Sequence, residues 1–205
     1  MTHVTLVLGT KNVSSWSLRP WLLARHLGVA FDEELIELDQ AGSSARLAAA
    51  SPTARVPLLR HGTLVVWESL AICEYLCELA GAGHPRARAA RAVARSVSAE
   101  MHAGFQALRA LWPMNACAVG LRTPMTTELA ADIARVQALW IACRREFGAG
   151  GPWLFGSYCI ADAMFAPVVL RFRTFGAMLE TEAQHYQETA LADSHLQEWV
   201  LAAAR

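Results

Sequence analysis

The stretch SPTARVPLLRHGTLVVWES, residues 51–69, decides the fold. Val56–Arg60 and Leu64–Trp67 are short β-rich runs, and His61-Gly62 between them is a turn signal, so the pair reads as a hairpin. Pro57 stands where a proline is tolerated, at the first position of a strand. An exposed strand-like N–H and C=O at Val56 suit pairing with an extended peptide. Glu68-Ser69 then opens a helix running to about Ala80. Ser69 is expected to cap it, and its N–H and hydroxyl suit a carboxylate. Glu68 beside it suits an ammonium, so the pair fits an α-amino-acid head group. In isolation, Glu-Ser reads better as a plain cap with an acidic neighbour.

Working outward, Met1–Leu8 reads as a short strand, with its β-rich part at Val4–Leu8. A polar loop, Gly9–Ser14, leads into a helix from Ser15 to Leu27, stopped by Gly28. Phe31–Leu38 is a second strand, and Ala41–Ala50 is loop and weak helix. The order is therefore β-α-β-(α)-β-β-α. Gly81-Ala82-Gly83-His84-Pro85 breaks the pattern and divides the chain into residues 1–81 and 86–205. Everything beyond reads as helix. Arg86–Trp112 is expected to be one helix, with a stripe at Val93, Val97, Met101, Phe105, Leu108 and Trp112. Thr126–Phe147 repeats the periodicity, and Ile160–Phe175 is apolar enough to be buried all round. Thr181–Thr189 and His195–Ala204 are shorter terminal helices.

Composition narrows the function classes. Of 205 residues, 54% are apolar, which rules out disorder. Eighteen bases balance eighteen acids, so net charge supplies no attraction to nucleic acid or an anionic membrane surface. No apolar run is long enough to span a bilayer, and MTHVTLVLGTKN lacks the basic region and cleavage site of a secretory signal. The five scattered cysteines fit a reducing cytosol better than a disulfide framework. Cys73 and Cys77 share a helix face, but no second pair completes a tetrahedral metal set, so they read as core residues and no metal is expected.

Asn12-Val13-Ser14-Ser15-Trp16-Ser17 lies where a strand ends and a helix begins. Hydroxyls there stand beside unpaired N–H groups and the positive end of a helix dipole, an environment that stabilises an anion, a thiolate included. Either serine alone also reads as a simple N-cap.

In combination, the hydroxyls at the first helix, Val-Pro before the hairpin and Glu-Ser after it resemble the cytosolic glutathione transferase superfamily, over nearly the whole chain. The resemblance implies an α/β thioredoxin-like N-terminal domain followed by an all-α C-terminal domain. Ser-Ser-Trp-Ser-Leu-Arg-Pro-Trp and Ile-Ala-Asp-Ala-Met are similar to a serine-type proteobacterial group, nearest to the zeta-like classes, whose own pattern is Ser-Ser-Cys; here Trp16 takes the third place. The family implies a cis Val56-Pro57 bond, a backbone contact from Val56 to the cysteinyl residue of glutathione, and Glu68 and Ser69 on the γ-glutamyl end, with Arg55 an added contact. It also implies a serine hydroxyl donated to the glutathione thiol, with Ser14 first and Ser15 second. Leu154–Asp162 resembles the family's turn into its buried helix, with Cys159 where a Ser or Thr caps and Asp162 capping backward. A hydrophobic electrophile would lie between the halves, against Trp16, Met101, Phe105 and Trp112. The implied protein is a cytoplasmic, homodimeric, detoxifying transferase with glutathione as cosubstrate. A glutathione-dependent isomerase or peroxidase, or a non-catalytic glutathione-binding protein, are the alternatives.

Overall fold

The computed structural model describes residues 3–38 and 40–204. Met1 and Thr2 of the expected first strand, with Asp39 and Arg205, lie outside the described residues. Strand β1 (Val4–Gly9) is followed by α1 (Ser15–Leu27), β2 (Asp32–Ile36), α2 (Ser43–Ala50), β3 (Leu58–His61), β4 (Leu64–Trp67) and α3 (Ser69–Ala80). The sheet order is β2-β1-β3-β4. β1 runs parallel to β2, as the α1 crossover requires, and antiparallel to β3. β3 and β4 form the expected hairpin, Leu58 opposite Trp67 and His61 opposite Leu64.

The alternation of β1 sorts its side chains into two cores. Val4, Leu6 and Leu8 face α1 and α3, while Val7 joins Ile36 and Leu58 under Leu47 and Ala50 of α2. This is a thioredoxin-like α/β layer carrying a helical second half. That half comprises α4 (Arg88–Ala103), α5 (Gln106–Leu111), α6 (Thr127–Phe147), α7 (Ile160–Phe175), α8 (Thr181–Leu191) and α9 (Ser194–Ala203). The larger core runs through both halves, from Leu6 and Leu18 to Met164 and Phe165.

One expectation is corrected. Arg86–Trp112 is not a single helix: it breaks at Gly104-Phe105, between α4 and α5. A Cβ on Gly104 would stand 2.9 Å from the Glu100 carbonyl oxygen, and Phe105 turns left-handed with φ 63°. The freed ends find partners elsewhere. Arg109 donates to the carbonyls of Met101, His102 and Gly104, closing α4. The Leu108 N–H donates to Asp132 Oδ2 on α6 (2.9 Å), capping α5 in trans. The 3.6-residue stripe survives the break, because Met101, Phe105, Leu108 and Trp112 are all buried.

Every residue of α7 except Arg173 and Phe175 is buried, and the helix packs against α1 and α4. Its entry is closed by Asp162, whose carboxylate accepts from Cys159 N (2.9 Å) and Leu154 N (3.1 Å). Cys159 supplies the reciprocal half of this capping box through its sulfur, a poorer acceptor. Among the described residues no helix is long and apolar enough to cross a membrane.

Two stability predictions follow from these helix starts. Burial raises the Asp162 carboxyl from its ordinary range to about 6, against the pull of its two N–H donors. A raised acid holds its proton in the folded state while the unfolded chain releases it, so this group adds stability as pH falls through about 6 and loses it as pH rises. Denaturant unfolding of wild type and Asp162→Asn at pH 6 and pH 4 is expected to widen in favour of wild type by roughly 2 kcal/mol toward acid. Glu68, ahead of α3, holds φ 67° and ψ 124°, a conformation that any Cβ disfavours. Glu68→Gly is therefore expected to be more stable than Glu68→Ala by about 1 kcal/mol without ligand, read by the same unfolding.

Candidate functional site

A cleft of about 220 Å³ opens beside the hairpin, lined by Trp16, Thr53, Arg55, Val56, Pro57, Glu68 and Ser69. Six of these seven are residues the sequence singles out one by one, and Thr53, from the same 51–69 stretch, is the addition. A larger cavity of about 590 Å³ lies at the linker, against Phe147, Phe155 and Tyr158. The smaller cleft is the better candidate, because it gathers a cation, an anion and a hydroxyl around two helix starts. The Val56-Pro57 bond is cis. Gly9, at the end of β1, admits the Val56 methyl: a Cβ there would meet Val56 Cγ2 and Leu38 Cδ1 at 2.8 Å.

Both helix N-termini at the cleft lack a side-chain cap. Ser14 precedes α1 and Glu68 precedes α3, and neither side chain bonds its helix's N–H groups. Their orphan donors leave a positive end at each helix start. Trp16 from the first turn of α1 and Ser69 from the first turn of α3 reach the same cleft. Ser14 and Ser15 are buried and line no part of it. Ser14 Oγ donates to Ser17 Oγ (2.7 Å), which accepts from Gly9 N (3.0 Å). No hydrogen bond occupies the Ser15 hydroxyl among the described residues.

The helical half holds this loop in place. Ala116 N donates to the Asn12 carbonyl (2.9 Å), Cys117 N to Asn12 Oδ1 (3.1 Å), and Trp199 Nε1 to the Lys11 carbonyl (2.9 Å). The Lys11 ammonium in turn lies over Trp21 and Trp199 and pairs with Glu33.

Behind the cleft wall the charge is one-sided. The Arg19 guanidinium lies 4.4 Å from the Trp16 ring centroid and that of Arg109 lies 4.7 Å away. His102 meets the same ring edge-on at 5.3 Å and reaches Glu68 at 3.6 Å. Burial, then Arg19, pull the His102 imidazole down against the opposing effect of Glu68, so it is neutral at pH 7. Burial also pulls Arg171 on α7 down to about 9, with Arg109 adding to it.

Not every expected wall residue arrives. Met101 and Phe105 are buried in the helical core and do not line the cleft. Trp112 lines a separate apolar cavity of about 440 Å³ with Met125, Ile133 and Phe175. The break at Gly104 re-aims this stretch, so residues on one idealised stripe end in different places. His102 touches two of the cleft's lining residues, Trp16 and Glu68, and Glu100 pairs with Arg135. Arg109 carries no sequence signal at all. Cys73 and Cys77 are core residues, and burial pushes the Cys77 thiol up to about 12.

Residues 13–79, which hold Trp16, the cleft strand and Glu68-Ser69, match the family model of the glutathione S-transferase N-terminal domain. No curated protein matches the chain in sequence. Solved structures do resemble it along its length. A glutathione transferase homolog from Burkholderia GL BGR1, with bound glutathione, is 25% identical with TM-score 0.74, covering 98% of each chain. Maleylacetoacetate isomerase from Anaeromyxobacter dehalogenans 2CP-1, with glutathione bound in its active site, is also 25% identical, with TM-score 0.68 over 97% and 96% of the two chains. The Tau class glutathione S-transferase from mango, at 18% identity and TM-score 0.71 over 97% and 92%, shares the fold. Residues 13–79 are thus similar to a glutathione S-transferase N-terminal domain, and the chain as a whole has the fold of the glutathione transferases.

Proposed function

We propose that the protein is a glutathione transferase that binds glutathione in the Trp16–Ser69 cleft and delivers its thiolate to a small hydrophobic electrophile. The observation that carries this reading is the convergence of Arg55, Val56, Glu68 and Ser69 on one cleft within the matched family segment. Ser69 and the open start of α3 receive the γ-glutamyl carboxylate, and Glu68 its ammonium. Val56 pairs with the cysteinyl backbone, and Arg55 meets a carboxylate of the tripeptide. Glutathione is the cosubstrate and no metal takes part. The protein acts in the cytoplasm as a homodimer, in detoxification, and its nearest class is the serine-type, zeta-like one.

A free thiol titrates near pKa ~8.5, so the site must favour the thiolate to act at neutral pH. The open N-terminus of α1 does so electrostatically, and a serine hydroxyl does so by donating to the sulfur. Ser14 is already engaged with Ser17, whereas the Ser15 hydroxyl is uncommitted, which favours Ser15 as the donor. A hydrogen bond to a charged group is worth about 1.5–3 kcal/mol, or roughly 10- to 100-fold in turnover.

The measurement is turnover with a panel of aromatic electrophiles, hydroperoxides and cis-dienoic acids, alongside thiolate absorbance of bound glutathione against pH. Conjugation is the expected activity. Ser15→Ala is expected to raise the bound thiol's pKa and slow conjugation at least tenfold, with Ser14→Ala changing it less than threefold. The reverse order would assign the thiol to Ser14. Isomerase or peroxidase turnover without conjugation would move the protein to those reactions, and tight glutathione binding with no turnover would make it a binding protein.

A further inference from the structure

We propose that Arg19 is a positioning residue for the glutathione cleft, a buried cation that sets the Ser69 hydroxyl and the Trp16 wall to receive the γ-glutamyl carboxylate. The inference rests on the glutathione reading above and adds to it a residue that never lines the cleft.

Arg19 projects from α1 with no solvent exposure. Its one hydrogen bond runs from Nη1 to Ser69 Oγ at 3.4 Å, and its Nε and Nη2 atoms are buried with no partner. No carboxylate among the described residues pairs with it. The charged groups that act on it most are two more cations, Arg109 and Arg171. Burial and those two cations hold its guanidinium well below the usual value, yet arginine does not give up its proton in proteins. The result is a permanent positive charge in a dry site, directly behind the hydroxyl that lines the cleft.

Such a group is a poor structural element. A buried cation loses its hydration, and one long bond to a neutral hydroxyl returns little of that. A methionine would fill the same space beside Trp16 without the charge. What the charge lacks is an anion, and an anion seated in the cleft approaches it across Ser69. There the guanidinium bond occupies a lone pair of Ser69 Oγ and turns its proton outward, toward the cleft. The carboxylate would then meet the hydroxyl, the open start of α3 and the field of Arg19 together. Trp16, held by the Arg19 and Arg109 guanidiniums, screens this field from water and so keeps it strong.

The test crosses the protein change with a ligand change. Dissociation constants are measured by calorimetry for glutathione and for 4-aminobutyryl-cysteinylglycine, which is glutathione with its α-carboxylate replaced by hydrogen. Wild type is expected to prefer glutathione at least tenfold. Arg19→Met is expected to weaken glutathione at least tenfold and the decarboxylated peptide less than threefold, so the preference collapses. A purely structural role would instead weaken both ligands equally, and that result, or no change in either, overturns the proposal. So does a wild type that fails to distinguish the two peptides. Should Arg19→Met not fold, Arg19→Gln, which keeps a donor and removes the charge, is held to the same limits. A wild type that binds neither peptide would sink the glutathione reading itself, an outcome separate from the loss of preference.

Discussion

The packing of α7 against α1 is the constraint on which the rest of the structure depends. α7 has almost no solvated face, so it can exist only where other elements enclose it. α1 supplies one side of that enclosure, and α1 is also the helix that begins the candidate site. The two halves are consequently not independent bodies, because Leu18 and Leu22 of the first share a core with Met164 and Phe165 of the second. An open helix start at Ser14 and an uncapped one at Glu68 are destabilising features. They persist because the helices behind them are anchored by burial, not by their caps.

The same logic explains how the loop ahead of α1 is held. Its own sequence, Thr10-Lys11-Asn12-Val13-Ser14, is mostly polar and offers little apolar surface to bury. Its order comes from the helical half, through Ala116, Cys117 and Trp199, which donate to Asn12 and Lys11. Substitutions in the helical half can therefore reach the site without touching a ligand, by loosening a loop that carries the first-helix serines.

The elements that were legible in the sequence are those with a local cause. Gly28 and Gly81 both adopt the left-handed cap, so α1 and α3 end where glycine says they must. The β3–β4 hairpin follows from His61-Gly62, with Gly62 at φ 61°. Asp162 caps backward because the box is a three-residue pattern. The break at Gly104-Phe105 was not legible, because hydrophobic periodicity passes through it unbroken. Its causes are a glycine pressed against the Glu100 carbonyl and an arginine reaching back from the next helix. The cleft's strand and turn were legible for the same reason as the hairpin. Its cationic backing was not, since Arg19, Arg109 and Arg171 lie on three helices and meet only in three dimensions.

That cationic backing also limits what overall charge can say. The chain carries no net charge, which argues against a polyanionic partner, yet the interior behind the cleft is strongly positive. The two statements concern different length scales. Surface charges more than about 8–10 Å apart are screened by salt, while buried ones are screened far less. A neutral protein can therefore present a field of one sign to a single small ligand. The field here has its main source in the buried Arg19 and Arg171, with the half-buried Arg109 adding to it, and Trp16 and Ser69 stand between Arg19 and the cleft. A ligand that brings negative charge to the start of α3 would meet this field across Ser69, while a neutral one would leave Arg19 Nε and Nη2 without a partner.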